Sequence, residues 1–197
     1  MGTKHVYLSV MGTLGSGKTT AARLIADTFK FHLVEENFGD NAFLPRFYQD
    51  MKRWAFHSQT FYLMEKITQM LETAQLFGLH TPDVKEVRTS GVNKVKGVIQ
   101  DTPILQDVFS YAKAQHVLGN MDDAEWRLYL NIYRSFESQL IKPDFIIYLE
   151  TSVPVIMERV KKRGRSYEQQ IPQSYLELLD MLNHKWLSEN KSIPILV

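Results

Sequence analysis

The segment Gly12-Thr13-Leu14-Gly15-Ser16-Gly17-Lys18-Thr19 constrains this chain more than any other. It fills every fixed position of the pattern G-x-x-x-x-G-K-[ST], a loop whose backbone N–H groups wrap a run of phosphates. Val6-Tyr7-Leu8-Ser9-Val10 before it is apolar and rich in β-branched and aromatic residues, so it reads as a buried strand. Thr20-Ala21-Ala22-Arg23-Leu24-Ile25-Ala26-Asp27 after it reads as a helix, whose N-terminus adds partial positive charge. In that setting residues 12–20, Thr20 included, hold a triphosphate, Lys18 reaches the β- and γ-phosphates, and Thr19 ligates Mg²⁺. A chance Gly/Ser turn before a helix is the bland alternative, and it explains neither the strand in front nor the Lys-Thr at the end.

The rest of the composition narrows the class. A chain of 197 residues with 44% hydrophobic and 23% charged residues has the make-up of a single globular domain. A net charge of +1 gives no global field toward nucleic acid or a membrane surface. With no cysteine, neither a disulfide framework nor a thiolate metal site is available. No run approaches the ~18 apolar residues of a membrane span, and the first residues show no basic-then-apolar leader pattern. The expectation is a cytoplasmic enzyme.

Strand patterns fall at 5–11, 32–35, 97–101, 144–150 and 193–197. Helical periodicity falls at 18–30, about 43–76, 104–118, 123–140, 152–163 and 172–188. Alternating strands and helices predict an α/β fold, a five-stranded parallel sheet covered by helices on both faces, with ligands beyond the carboxyl ends of the strands. That rule selects the loop after Val10, Glu35-Glu36 and Asp101. Residues 77–96, with Gly78, Pro82, Gly91 and several lysines, read as an insertion or a mobile loop. The chain stops in Pro194-Ile195-Leu196-Val197, a strand with nothing after it, which leaves a truncation open.

Further segments line up with the phosphate loop: Glu36, Asn41 and Leu44 ahead of Phe47-Tyr48-Gln49-Asp50; Lys52-Arg53-Trp54-Ala55-Phe56 leading into Gln59; Asp101 and Asp107; and Arg159-Val160-Lys161-Lys162-Arg163-Gly164-Arg165-Ser166-Tyr167-Glu168. This order and spacing resembles the deoxynucleoside kinase family, especially its short bacterial deoxyadenosine/deoxyguanosine kinases, over roughly Val6 to Trp186. The resemblance implies a P-loop NTPase-type fold with an arginine-rich lid at about 159–171, and transfer of phosphate from ATP, with Mg²⁺, to the 5′-hydroxyl of a deoxynucleoside, a purine one favoured. It implies that Glu36 is the general base, that Tyr48 and Glu168 hold the sugar, and that Gln59, Lys66 and Asp107 read the base. Thr19 and Asp101 would serve the metal, and Lys18, Arg159, Arg163 and Arg165 would neutralise the transferring phosphoryl group. It also implies a homodimer through the apolar-rich helices 53–75 and 123–140.

The chain departs from the family in two places. An arginine normally follows the acid at the end of the third strand, close to the general base; here Asp101 is followed by Thr102-Pro103. Lys66 stands where arginine is common, and an ammonium reads a base edge with less fixed geometry than a guanidinium. Two rival readings stay open. A nucleoside monophosphate kinase shares the loop and lid, but the acidic Glu35-Glu36 pair would repel an acceptor phosphate. A nucleotide-binding homologue of weakened activity would fit the missing arginine.

Overall fold

The computed structural model describes residues 5–36, 38–78, 95–169 and 171–197. The chain order is β1 (Val6–Met11), α1 (Lys18–Phe29), β2 (His32–Val34), α2 (Leu44–Gln49), α3 (Met51–Leu76), β3 (Gly97–Asp101), α4 (Ile104–Gln106), a π-helical turn (Asp107–Ala112), α5 (Lys113–Val117), α6 (Asp123–Glu137), β4 (Phe145–Tyr148), α7 (Val153–Arg163), α8 (Gln173–Glu189) and β5 (Ile195–Leu196). Five strands form one sheet in the order β2-β3-β1-β4-β5, and every pairing is parallel. The expected α/β architecture is present. The centre of the sheet is dry: every residue of β3 is buried, as are Val10 and Met11 of β1.

Element ends are shorter than the apolar patterns. The pattern at 144–150 yields only β4, because the Asp144 carboxylate turns back to accept from the Tyr7 amide at 2.9 Å. The pattern at 193–197 yields only the two residues of β5. The single helix expected over 43–76 is two. Asp50 leaves helical geometry (φ −147°, ψ 85°) and its carboxylate caps α3 by accepting from the Arg53 amide at 3.1 Å. That break lets α2, with Phe47 and Tyr48, fold back against α3 and the turn at Ser166–Glu168. The helix expected at 104–118 is one run whose middle is π-helical, a deformation that clusters at functional sites. Helix α6 starts on a capping box, in which Asp122 and Glu125 each satisfy the other's backbone N–H.

Helix α1 packs on the sheet through Ala22 and Ala26 against Val10 and Ile99, and two larger apolar clusters carry the other long helices. Leu63, Ile67 and Met70 of α3 pack with Val108 and with Tyr129 of α6. Ile156 and Val160 of α7 pack with Leu176 and Leu179 of α8. Most of the segment 77–96, read as an insertion or mobile loop, lies outside the described residues.

Candidate active site

At the carboxyl end of β1 the chain turns through Gly12, Gly15 and Gly17, all at positive φ. Gly12 has no alternative. A Cβ there would sit 2.6 Å from Ser16 Oγ and 2.9 Å from the Leu149 carbonyl oxygen, at a φ of +156°. Gly17 is left-handed (φ 105°, ψ 15°) and launches α1, so the first amides of that helix face the loop. A buried amide clamp fixes the loop from behind. Gln106 accepts from the Gly12 amide at 3.3 Å and donates to the Gly12 carbonyl at 2.7 Å and to Asn183 Oδ1 at 3.2 Å. Asn183 donates in turn to Thr13 Oγ1 at 3.1 Å. Nothing in the sequence pattern pointed to Gln106 or Asn183.

The loop opens on a cleft of about 410 Å³. Leu14, Gly15, Gly17, Lys18, Thr19 and Thr20 line one part of it; Glu36, Tyr48, Gln59, Asp101, Asp107 and Glu168 line the rest, under Arg159, Arg163 and Arg165. Thus the expected site residues converge, with two qualifications. Gly12, Thr13 and Ser16 are buried in the loop without lining the cleft, and Lys66 is fully buried and does not line it either.

Lys18 donates to the carbonyl of Gly12 at 2.9 Å and to that of Thr13 at 3.4 Å, and Tyr111 Oη lies 3.5 Å away. Burial pushes its ammonium pKa down, while Asp101, Glu36 and Asp107 pull it back up. Thr19 Oγ1 donates to Asp101 Oδ2 at 2.5 Å. A hydroxyl and a carboxylate this close beside a phosphate loop fit Mg²⁺, which takes few protein ligands and keeps phosphate and water oxygens for the rest. Among the described residues no cluster of three His, Cys, Asp or Glu offers an all-protein metal cage. Thr102 follows at a φ of +63°, strained for a β-branched residue, with its amide tied to the Val10 carbonyl at 3.1 Å.

The adjacent glutamates part company. Glu35 faces solvent and takes two bonds from Arg23, which hold its carboxyl below the usual range. The Glu36 side chain is 7% exposed and its Oε1 lies 3.7 Å from Lys66 Nζ. Burial raises its pKa, and the charges of Lys66 and Lys18 oppose that rise. Asp107 is buried too, with Oδ2 unpartnered among the described residues, and burial together with the Glu36 charge holds its pKa well above the ordinary value. Residues 107–112 being π-helical, Asp107 and Tyr111 both reach the cleft.

The segment expected to act as a lid comprises the last turn of α7, a left-handed Gly164 and a 3₁₀ turn at Ser166–Glu168. Gln170, within the expected lid, lies outside the described residues. Arg159 donates to the Ser16 carbonyl at 2.9 Å. Arg163 and Arg165 both hold the Glu168 carboxylate, which is 2% exposed; Arg163 Nε lies 3.0 Å from Oε2 and Arg165 Nη1 3.2 Å from Oε1. Tyr48 stacks on Tyr167 with ring centroids 5.6 Å apart, so α2 and the lid touch directly.

A phosphate loop, a buried carboxylate and three arginines around one cleft are the parts of a phosphotransferase. The sequence matches the deoxynucleoside kinase family over residues 8–197. The chain belongs to that family. It is 29% identical to a deoxyguanosine kinase of Bacillus subtilis over 173 residues, covering 88% of this chain and 74% of that one. It is 28% identical to a Bacillus subtilis deoxyadenosine/deoxycytidine kinase, covering 98% and 82%. Among solved structures, a deoxyadenosine kinase of M. mycoides, with the products dCMP and a flexible dCDP bound, superposes with a TM-score of 0.79 at 26% identity, over 98% of this chain and 89% of that one. The deoxynucleoside kinase described here is therefore a transferase that phosphorylates a nucleoside hydroxyl in nucleotide salvage, at the expense of a nucleoside triphosphate. None of its helices, among the described residues, is long and apolar enough to cross a membrane.

Several cleft residues of the kinase escaped sequence reasoning. Leu44, Phe47, Tyr62, Tyr111 and Tyr175 line the cleft as well. Their signal, an apolar or aromatic residue at helical spacing, is identical to that of the core.

Proposed function

We propose that the kinase transfers the γ-phosphoryl group of ATP to the 5′-hydroxyl of a 2′-deoxynucleoside, with Glu36 as general base. One observation carries this reading: the carboxylate of Glu36 is buried in the same cleft that the phosphate loop opens into. Glu36 takes the hydroxyl proton; the sugar oxygen forms a bond to the γ-phosphorus as the bond to the bridging oxygen breaks, and ADP leaves. Lys18 and the loop amides hold the β- and γ-phosphates, and Arg159, Arg163 and Arg165 answer the charge that spreads over the transferring group. Thr19 and Asp101 are the residues that would hold Mg²⁺, which when bound offsets charge on the phosphates.

Tyr48 and Glu168 hold the sugar. Since Glu168 already anchors Arg163 and Arg165, closing the lid and gripping the sugar are a single event. Gln59, 5% exposed and equipped with both a donor and an acceptor, reads the base edge with Asp107, a purine being favoured. The acids Glu36, Asp107 and Glu168 on the acceptor side disfavour a monophosphate substrate, which would bring its own negative charge among them. The kinase acts in the cytoplasm as a homodimer, with exposed Met64 on α3 and Leu128 on α6 offering apolar surface for pairing. A monomer at micromolar concentration in sedimentation velocity refutes the dimer.

The test is incubation with labelled ATP, Mg²⁺ and each deoxynucleoside in turn. A labelled 5′-monophosphate that disappears in Glu36→Gln supports the reading. Intact ATP binding with no product from any nucleoside overturns it in favour of a retired enzyme, and turnover of a monophosphate alone favours the rival kinase.

A further inference from the structure

Lys66 sits in the middle of α3 with no exposed surface and takes no part in the cleft wall. A buried ammonium is strongly unfavourable unless other charges and acceptors answer it, so its partners reveal its use. Nζ donates to the backbone carbonyl of Asp101 at 2.9 Å and stands 3.7 Å from Glu36 Oε1. One ammonium thus joins the exit of β3 to the second residue after β2. Among the described residues Lys66 is the cation within ion-pair distance of Glu36. Asp107, on the same wall, feels the Lys66 charge but among the described residues makes no ion pair with it and keeps a buried Oδ2 with no hydrogen-bond partner, so the ammonium serves Glu36 and Asp101. Among the described residues the lysines whose charge acts on both Glu36 and Asp107 are Lys18 and Lys66, and Lys18 is turned toward its own loop.

We infer that Lys66 is a positioning residue for phosphoryl transfer: its ammonium fixes the Glu36 carboxylate and provides a positive charge beside the attacking hydroxyl. It makes good the arginine that Thr102 displaces, and it leaves reading of the base to Gln59 and Asp107. The inference rests on the proposed role of Glu36 as general base.

The experiment compares the full-length kinase with Lys66→Met, Lys66→Arg, Glu36→Gln and the Lys66→Met/Glu36→Gln double variant. Kinetics are measured with deoxyadenosine, deoxyguanosine and deoxycytidine, and melting temperature is measured for all five proteins. Lys66→Met is expected to lower kcat about 10²-fold, the scale of losing one electrostatic contact to the reacting centre. The factor is the same for all three nucleosides, with KM and substrate ranking unchanged. Lys66→Arg recovers most of the loss, and the double variant is no slower than Glu36→Gln. Lys66→Met also lowers the melting temperature more when Glu36 is present than when it is replaced by glutamine, since only then is a buried carboxylate left without its cation. A changed ranking of nucleosides, or a loss confined to KM, makes Lys66 a base reader and overturns the inference. So do kinetic losses that add in the double variant. If the unmodified kinase phosphorylates no nucleoside, the role of Glu36 falls by itself, and the melting cycle decides whether Lys66 holds it: non-additive shifts support the pairing and additive ones overturn it.

Discussion

The two ends of the cleft are built on different principles. The phosphate end is one contiguous stretch of chain, residues 12–19, and its chemistry is mostly backbone: amides aimed by glycines at positive φ and clamped from behind by the neutral side chains of Gln106 and Asn183. The acceptor end is assembled from the exits of β2 and β3, from α3 and from the π turn, and its chemistry is side-chain charge: Glu36, Lys66, Asp101 and Asp107. A backbone device depends on conformation, so the change that breaks it is an added Cβ. A cluster of buried charges depends on its own internal balance, so the change that breaks it is the loss of a single charge.

That contrast predicts where each substitution is felt. Glu36→Gln is isosteric and leaves the phosphate loop untouched. Its expected result is a fall in kcat of about 10²–10⁴, the usual contribution of general base catalysis, with ATP affinity unchanged in a nucleotide-binding assay. Loss of ATP binding in this variant breaks the separation of the two ends. Gly12→Ala is the converse. The new Cβ meets Ser16 Oγ at 2.6 Å and the Leu149 carbonyl at 2.9 Å, so the loop must shift. Backbone strain of this kind costs about 1–3 kcal/mol. The expected outcome is weaker ATP binding and a lower melting temperature, with the ranking of nucleosides preserved. A variant that binds ATP normally shows that the loop tolerates movement and that the clamp by Gln106 is ornamental.

The same contrast explains what could be read in the sequence. The phosphate loop was legible because its determinants are consecutive: three glycines, Lys18 and Thr19 between a strand and a helix pattern. Glu36 and Asp101 were legible because a parallel sheet places strand exits at the ligand. Gln106 and Asn183 were not, since they meet Gly12 and Thr13 only through the packing of α8 against the π turn, and a buried amide has no periodic signature. The break at Asp50 was missed because apolar spacing runs on across it, and a single cap residue outweighs the pattern. For Lys66 the position in the sequence suggested base reading, whereas the charge balance of the folded cleft turns it toward Glu36 and Asp101. A side chain with four rotatable bonds is aimed by electrostatics that no linear spacing reports.

The smallest expected effect is also the one that probes the charge cluster without rebuilding it. As the proposed general base Glu36 must be ionised to accept a proton, and burial lifts its pKa above 4.5 while Lys66 and Lys18 restrain the rise. The acid limb of kcat/KM therefore lies above the ordinary glutamate value, and removing Lys66 moves it further toward neutral pH. Stability responds with the opposite sign. A carboxyl whose pKa is raised by folding binds its proton more tightly in the folded chain, so its contribution favours the folded state below the unfolded pKa and fades as pH climbs through the folded one. Asp107, raised from its ordinary 3.8 by burial and by the Glu36 charge, acts in the same direction. On acidification protonation of Glu36 extinguishes activity, while neither group weakens the fold. Measuring kcat/KM and melting temperature across the same buffers separates the two. An activity limb that tracks the loss of folded protein means that the acceptor end is not an independently balanced cluster, and that its charges are held by the scaffold as rigidly as the phosphate loop is held by its glycines.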